Sequence, residues 1–328
     1  MAGPDSAKPI RDGQLGWNPV ANGEQMHALE FENVTKRYGG AVVVDDMTFT
    51  VQPGRVTGFL GPNGAGKSTT MKILLDLASA DAGRASIGGT RYRDLADPAR
   101  TVGAILEANA FHPARTGRNH LRILADSGGH SQDRIDELLD LVGLADAADK
   151  KAGAYSLGMR QRLGLAAAVL ADPPVLVLDE PSTGLDPQGI RWMRDLLRQR
   201  AELGNTVFVS SHLLAEVEHL ADEVVVISRG RLVASGAISD LQTAGTLVRT
   251  PTPERLSEIL KAAGGSVEAR EGALIVQGLA IADIGDRAHE AGIALHELTS
   301  LAGSLEELFM GWTELESPDD STREGVTP

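Results

Sequence analysis

Apolar and polar positions along the chain follow two rhythms. In HALEFENVTKRY and DDMTFTV, within residues 28–52, they alternate as in strands with one buried face. RVTGFLG, PVLVLDE and NTVFVSSH are short and continuously apolar, the pattern of strands buried on both faces. EVVVISRGRLVASG supplies further strand, and a helix is expected between it and NTVFVSSH. Helical spacing takes over from about Lys67 to Leu77 and through most of 115–151, where RIDELLDLVGL carries apolar residues three to four apart. Strands alternating with helices predict an α/β protein whose parallel sheet is covered on both faces.

A composition shift near residue 243 opens a second pattern. Strand TLVRT, helix PERLSEILKAAG, strands SVEAR and ALIVQG, helix IADIGDRAHEAG and strand ALHELTS follow in turn. That βαββαβ order is the split-βαβ plan of a small α+β, ferredoxin-like domain. A short helix, SLEELFMGW, is expected to close it. The division predicted is a flexible arm over 1–26, a large domain over 27–242, an accessory domain over 243–312 and a disordered acidic tail over 313–328.

Composition narrows the chemistry. With 31 basic and 45 acidic residues, the net charge of -14 argues against a nucleic-acid partner. The absence of cysteine removes thiolate metal sites and thiol nucleophiles. No apolar run approaches the ~18 residues needed to span a bilayer, and the first residues have no hydrophobic signal core. The expectation is a cytoplasmic chain that reaches a membrane only through another subunit.

Three stretches carry candidate chemistry. GPNGAGKST, residues 61–69, fits the phosphate-binding pattern G-x-x-x-x-G-K-[ST] and lies between an expected strand and an expected helix. Gly61, Gly64 and Gly66 let backbone N–H groups wrap phosphate oxygens, with Pro62, Asn63, Ala65 and Thr69 completing the loop. Lys67 would reach the β- and γ-phosphates, and Ser68 would ligate Mg²⁺. VLVLDE ends a buried strand with two carboxylates: Asp179 suits Mg²⁺ held through water, and Glu180 suits a general base for the attacking water. In YSLGMRQRLGLAAAVL, residues 155–170, Ser156 is a good helix N-cap and Gly158 permits a close backbone approach. A helix start of this kind attracts anions.

With SLGMR and VLVLDEPSTGLD beside the phosphate loop, residues 27–240 resemble the nucleotide-binding subunit of ABC transporters. The resemblance implies a P-loop NTPase fold with a parallel core sheet, an antiparallel β subdomain and a helical subdomain, with ATP and Mg²⁺ as cofactors. The family signature LSGGQ is matched by Tyr155, Ser156, Leu157, Gly158 and Met159, with Leu157 and Met159 departing from it. In the family this helix binds the γ-phosphate of ATP held by the opposite subunit, so Ser156 and Gly158 are implied contacts. Tyr38 matches the aromatic residue that stacks on adenine, Asp186 ends a loop that touches the opposite subunit, and His212 matches the γ-phosphate sensor.

Where the family usually carries Gln beside Mg²⁺ and the attacking water, this chain has Glu107. That residue, the signature helix and SLEELF look like the branch that exports drugs and peptide antibiotics. The implied assembly is a homodimer of cassettes on a separate membrane permease, at the inner face of the membrane. An importer ATPase, a non-transport ABC ATPase and a small-molecule P-loop kinase are the alternatives; a kinase would leave Ser156, Gly158 and His212 unexplained.

Overall fold

The computed structural model describes residues 27–106, 111–241, 243–270 and 273–302. The chain divides into two compact units, 1–236 and 237–328. In the first, the hairpin β1 (Leu29–Tyr38) and β2 (Ala41–Val51) is followed by β3 (Val56–Leu60) and α1 (Lys67–Leu74). Next come β4 (Ala82–Ile87), α2 (Pro98–Thr101), β5 (Val102–Ile105), α3 (Gly117–Ser127), α4 (Ile135–Leu141) and α5 (Leu157–Ala168). The remaining elements are β6 (Val175–Asp179), α6 (Pro187–Glu202), β7 (Thr206–Ser211), α7 (Leu214–Leu220), β8 (Glu223–Ser228) and β9 (Arg231–Ala237).

The alternating segments become an antiparallel sheet ordered β2-β1-β4, and the continuously apolar ones become the interior of a sheet ordered β5-β6-β7-β3-β8-β9. Strands β5, β6, β7, β3 and β8 pair in parallel, and β3, β6 and β7 are buried along their whole length. This is the cassette architecture expected from the sequence. Between the two sheets lies an aromatic core: Phe31 stacks on Phe49 with ring centroids 4.3 Å apart, and Phe59 lies 5.0 Å from Phe208. Such ring pairs contribute about 0.5–1.5 kcal/mol each beyond their buried area. Met71 and Leu74 of α1 join the same core, which fixes the helix that follows the phosphate loop.

Helix α1 ends at Leu74, three residues short of the expected Leu77. Asp76 turns into the left-handed region at φ 54° and its carboxylate takes up Arg93, so helical bonding stops there. Helices α3, α4 and α5 pack together as a helical group beside β5. An ion pair with a fully buried arginine, invisible to hydropathy, ties the base of β6 to α6: Arg200 pairs with the partly buried Asp172 and donates to the carbonyl of Pro173 at 2.6 Å.

The second unit contains α8 (Ile238–Leu241), β10 (Thr243–Arg249), α9 (Pro253–Ala262), β11 (Ser266–Arg270), β12 (Ala273–Gln277), α10 (Ile281–Glu290) and β13 (Glu297–Ala302). Its sheet is antiparallel in the order β11-β12-β10-β13. The two βαβ halves are thus interleaved as the split-βαβ plan requires. Val248, Leu274 and Val276 on the sheet meet Leu256 and Leu260 of α9 and Ile284 of α10. The arm over 1–26, the helix expected in SLEELFMGW and the tail over 313–328 lie outside the described residues.

Candidate active site

Loop 61–66 leaves the C-terminal end of β3 and enters α1 at Lys67. Gly66 sits at φ 107°, and a Cβ there would come within 2.6 Å of the carbonyl oxygen of Val43. Only glycine fits both demands. The loop is also tied to its surroundings, since Gly230 N donates to Ala65 O at 3.0 Å and Asp45 N to Gly230 O at 2.8 Å.

Val43, Asn63, Gly64, Lys67, Ser68 and Glu180 line a cleft of about 210 Å³ over this loop, with Gly66 and Thr69 completing it. Lys67 is buried, and its Nζ donates to the carbonyls of Gly61 at 2.6 Å and Pro62 at 3.3 Å. Burial pushes the Lys67 ammonium below the usual lysine range, while the charges of Glu180 and Asp179 oppose that shift. The Glu180 carboxylate is 3.7 Å from Lys67 Nζ.

Strands β6 and β7 are neighbours, which brings the two carboxylates of VLVLDE beside the SSH segment. Asp179 accepts a hydrogen bond from Ser210 Oγ, and the same hydroxyl receives Glu180 N at 2.9 Å. Glu180 adopts φ 48°, a left-handed conformation that costs a non-glycine residue roughly 1–2 kcal/mol. Its carbonyl is held by Gln161 Nε2 at 3.2 Å and Thr183 N at 3.2 Å. Its Oε2 lies 2.7 Å from His212 Nδ1. A carboxylate only accepts, so Nδ1 carries a proton, and Nε2 can donate as well only when the ring is protonated on both nitrogens.

Ser156 caps α5 as its sequence suggests, its Oγ accepting from Met159 N at 3.2 Å. The close neighbour of Gly158 is within the chain: a Cβ there would stand 2.6 Å from the carbonyl oxygen of Gly184. Asp186 caps α6, accepting from Gly189 N at 2.8 Å, and is 3.5 Å from Arg162. Tyr38 is exposed at the end of β1, with Lys36 Nζ 5.3 Å from its ring centre. Glu107 lies outside the described residues. The structure therefore gathers Lys67, Ser68, Asp179, Glu180 and His212 at the carboxyl ends of the interior strands β3, β6 and β7.

Sequence reading missed the inward turn of Arg162. It reaches the carbonyl of Val142 at 3.2 Å and lies over the Trp192 ring at 5.7 Å, joining α5 to α4 and α6. It also missed Ser210, whose hydroxyl ties β6 to β7, although the serine doublet before His212 was a visible signal. Among the described residues no group of three or more acidic or histidine side chains could hold a metal ion by itself. Ser68 and Asp179 are hard oxygen donors of the kind Mg²⁺ uses when substrate phosphates and waters complete its shell, so they fit that ion.

A family model described as ABC transporter matches residues 44–183. A second, described as a domain of unknown function, matches residues 244–306. The chain is 43% identical over 215 residues to an uncharacterized ABC transporter ATP-binding protein, YhcH, of Bacillus subtilis, covering 65% of this chain and 70% of that one. It is 43% identical to the bacitracin transport ATP-binding protein BcrA of Enterococcus faecalis, covering 66% and 71%. Identity to the Nod factor export ATP-binding protein I of Burkholderia lata is 42%, covering 64% and 70%.

A solved ATP-binding subunit of an ABC transporter superposes with a TM-score of 0.60 at 26% identity, covering 80% of this chain and 99% of that one. A cassette bound to ADP and Pi gives a TM-score of 0.58 at 23% identity, covering 64% and 98%, a likeness of fold. The chain belongs to the ABC transporter family of ATP-binding proteins, whose activity is ATP hydrolysis. None of the described helices is long and apolar enough to cross a membrane.

Proposed function

We propose that this chain hydrolyses ATP to drive export of an antibiotic, drug or other hydrophobic compound through a separate membrane permease. The meeting of Lys67, Glu180 and His212 at the mouth of the phosphate loop carries the hydrolytic reading. The likeness to bacitracin transport and Nod factor export proteins supports export. In this reading the N–H groups of loop 61–66 and Lys67 bind the ATP phosphates, and Tyr38 stacks on adenine.

Ser68, Asp179 and Glu107 would hold Mg²⁺, which when bound neutralises phosphate charge. Glu180 takes the proton of the attacking water. His212, oriented by its Nδ1–H donation to Glu180, donates Nε2–H to a γ-phosphate oxygen as the doubly protonated imidazolium. Its left-handed backbone and its contact with His212 hold Glu180 in place at the mouth of the loop. Two cassettes close head to tail, and the α5 N-terminus at Ser156 and Gly158 meets the ATP of the opposite subunit, with the Asp186 loop alongside. The accessory domain serves as an interaction or regulatory module, and the assembly works at the inner face of the membrane.

The test is Glu180→Gln. Hydrolysis should fall by about 10²–10⁴-fold while ATP still binds, and an ATP-bound dimer should accumulate in gel filtration with Mg-ATP. Near-normal turnover would remove Glu180 from the mechanism.

A further inference from the structure

The geometry points to Glu216 as a positioning residue for hydrolysis: one of its carboxylate oxygens gathers the hydroxyls that flank Glu180 and His212. Ser182 stands two residues after Glu180, and its Oγ donates to Glu216 Oε2 at 2.6 Å. Ser211 immediately precedes His212, and its Oγ reaches the same oxygen at 3.1 Å. Both serines are buried. One acceptor thus ties the segment after β6 to the last residue of β7.

Three observations give the clamp its weight. Glu216 lies in the first turn of α7, where exposed backbone N–H groups favour a negative charge. Val217 and Leu220 of that helix are buried, so the carboxylate is presented from a fixed element. Beneath the junction, packing is incomplete: Pro181, Ser182, Met193, Val209, Ser211 and Leu220 are among the residues around a mostly apolar cavity of about 220 Å³. With a void below, hydrogen bonds to Glu216 hold the two segments together. Without them, the segment carrying Glu180 keeps its Ser210, Gln161 and Thr183 contacts but loses its side-chain tie through Glu216 to the end of β7, and the Glu180–His212 geometry loosens.

The inference rests on the reading of Glu180 as the general base, and the test separates the two. ATP turnover, ATP affinity and thermal unfolding are measured on the full chain for Glu216→Ala, Glu216→Gln, Ser182→Ala, the Ser182→Ala/Glu216→Ala double variant and Glu180→Gln. Glu216→Ala should lower kcat by roughly 10- to 50-fold with KM and Kd for ATP within about twofold, the pattern of an interaction that matters in the transition state. Glu216→Gln keeps one oxygen able to accept both hydroxyls and should stay within about threefold of wild type.

Ser182→Ala should add almost nothing once Glu216 is Ala, because the two act as one unit. Wild-type kcat in Glu216→Ala beside an inactive Glu180→Gln overturns the clamp and leaves the base intact. Parallel loss of kcat, ATP affinity and melting temperature in both Glu216 variants also overturns it, since the residue would then be scaffold only. Wild-type turnover in Glu180→Gln overturns the base, and the clamp with it.

Discussion

Glu180 and His212 immediately follow adjacent parallel strands, and their side chains meet at 2.7 Å from Oε2 to Nδ1. The contact places a proton on Nδ1 and leaves the other ring nitrogen outside the pair. His212→Ala should therefore lower kcat by roughly 10²-fold, the scale of losing one preorganised donor, here the Nε2–H of a ring protonated on both nitrogens. ATP affinity should change little by comparison. Equal loss of affinity and turnover would mean that the imidazole serves ground-state binding instead.

Lys67 offers a test through pH. Burial lowers its pKa in the folded chain, and Glu180 opposes that lowering. Only the ammonium form binds phosphate, so ATP affinity should fall as pH rises through the Lys67 pKa. Glu180→Gln removes the opposing charge and lowers that pKa further. The alkaline loss of ATP affinity should then begin at a lower pH than in wild type, as followed by nucleotide titration across pH. An identical profile in both proteins would show that the pair is not coupled.

The head-to-tail arrangement makes a quantitative prediction. Homodimers of Lys67→Ala or of Ser156→Arg carry a lesion in every site. In a mixed dimer both lesions fall in one site and the other is wild type. Random mixing gives about half mixed dimers, so about a quarter of all sites should regain high-affinity ATP binding. No recovery, with mixed dimers demonstrated by cross-linking, would assign the Ser156 helix to its own chain's loop.

Gly58 lies at the centre of β3 under α7. A Cβ there would stand 2.5 Å from Val217 Cγ1 and 3.3 Å from Ala221 Cβ. Gly58→Ala should destabilise the chain by about 1–3 kcal/mol through overpacking. Adding Val217→Ala, which removes the opposing methyl groups, should restore most of the melting temperature. Failure of that rescue would place the cost elsewhere in the strand.

Much of this was legible before any coordinates. Buried runs such as VTGFL and VLVLD signal interior parallel strands because both their faces are apolar, and GPNGAGKST declares its loop through glycine spacing. The accessory domain was legible for a similar reason, since each of its elements carries its own period. What stayed hidden depends on groups distant in sequence. Nothing in the sequence marks Arg162 and Arg200 for burial; their partners come from α6 and the base of β6, distant along the chain. Gly158 suggested a close contact, but its partner, the Gly184 carbonyl, could be named only once the chain had folded.

The sheet order also bears on how the protein is made. Strand β3 lies between β7 and β8, both of which follow it far along the chain. On the ribosome, Phe59 and Leu60 emerge long before either neighbour exists, so the nascent chain carries an apolar strand with two open edges. The cradle around Lys67 can be sealed only after Ser228 has been added. Closing so distant a pairing is slow, and nascent chains that stall before Ser228 should be the ones that engage chaperones.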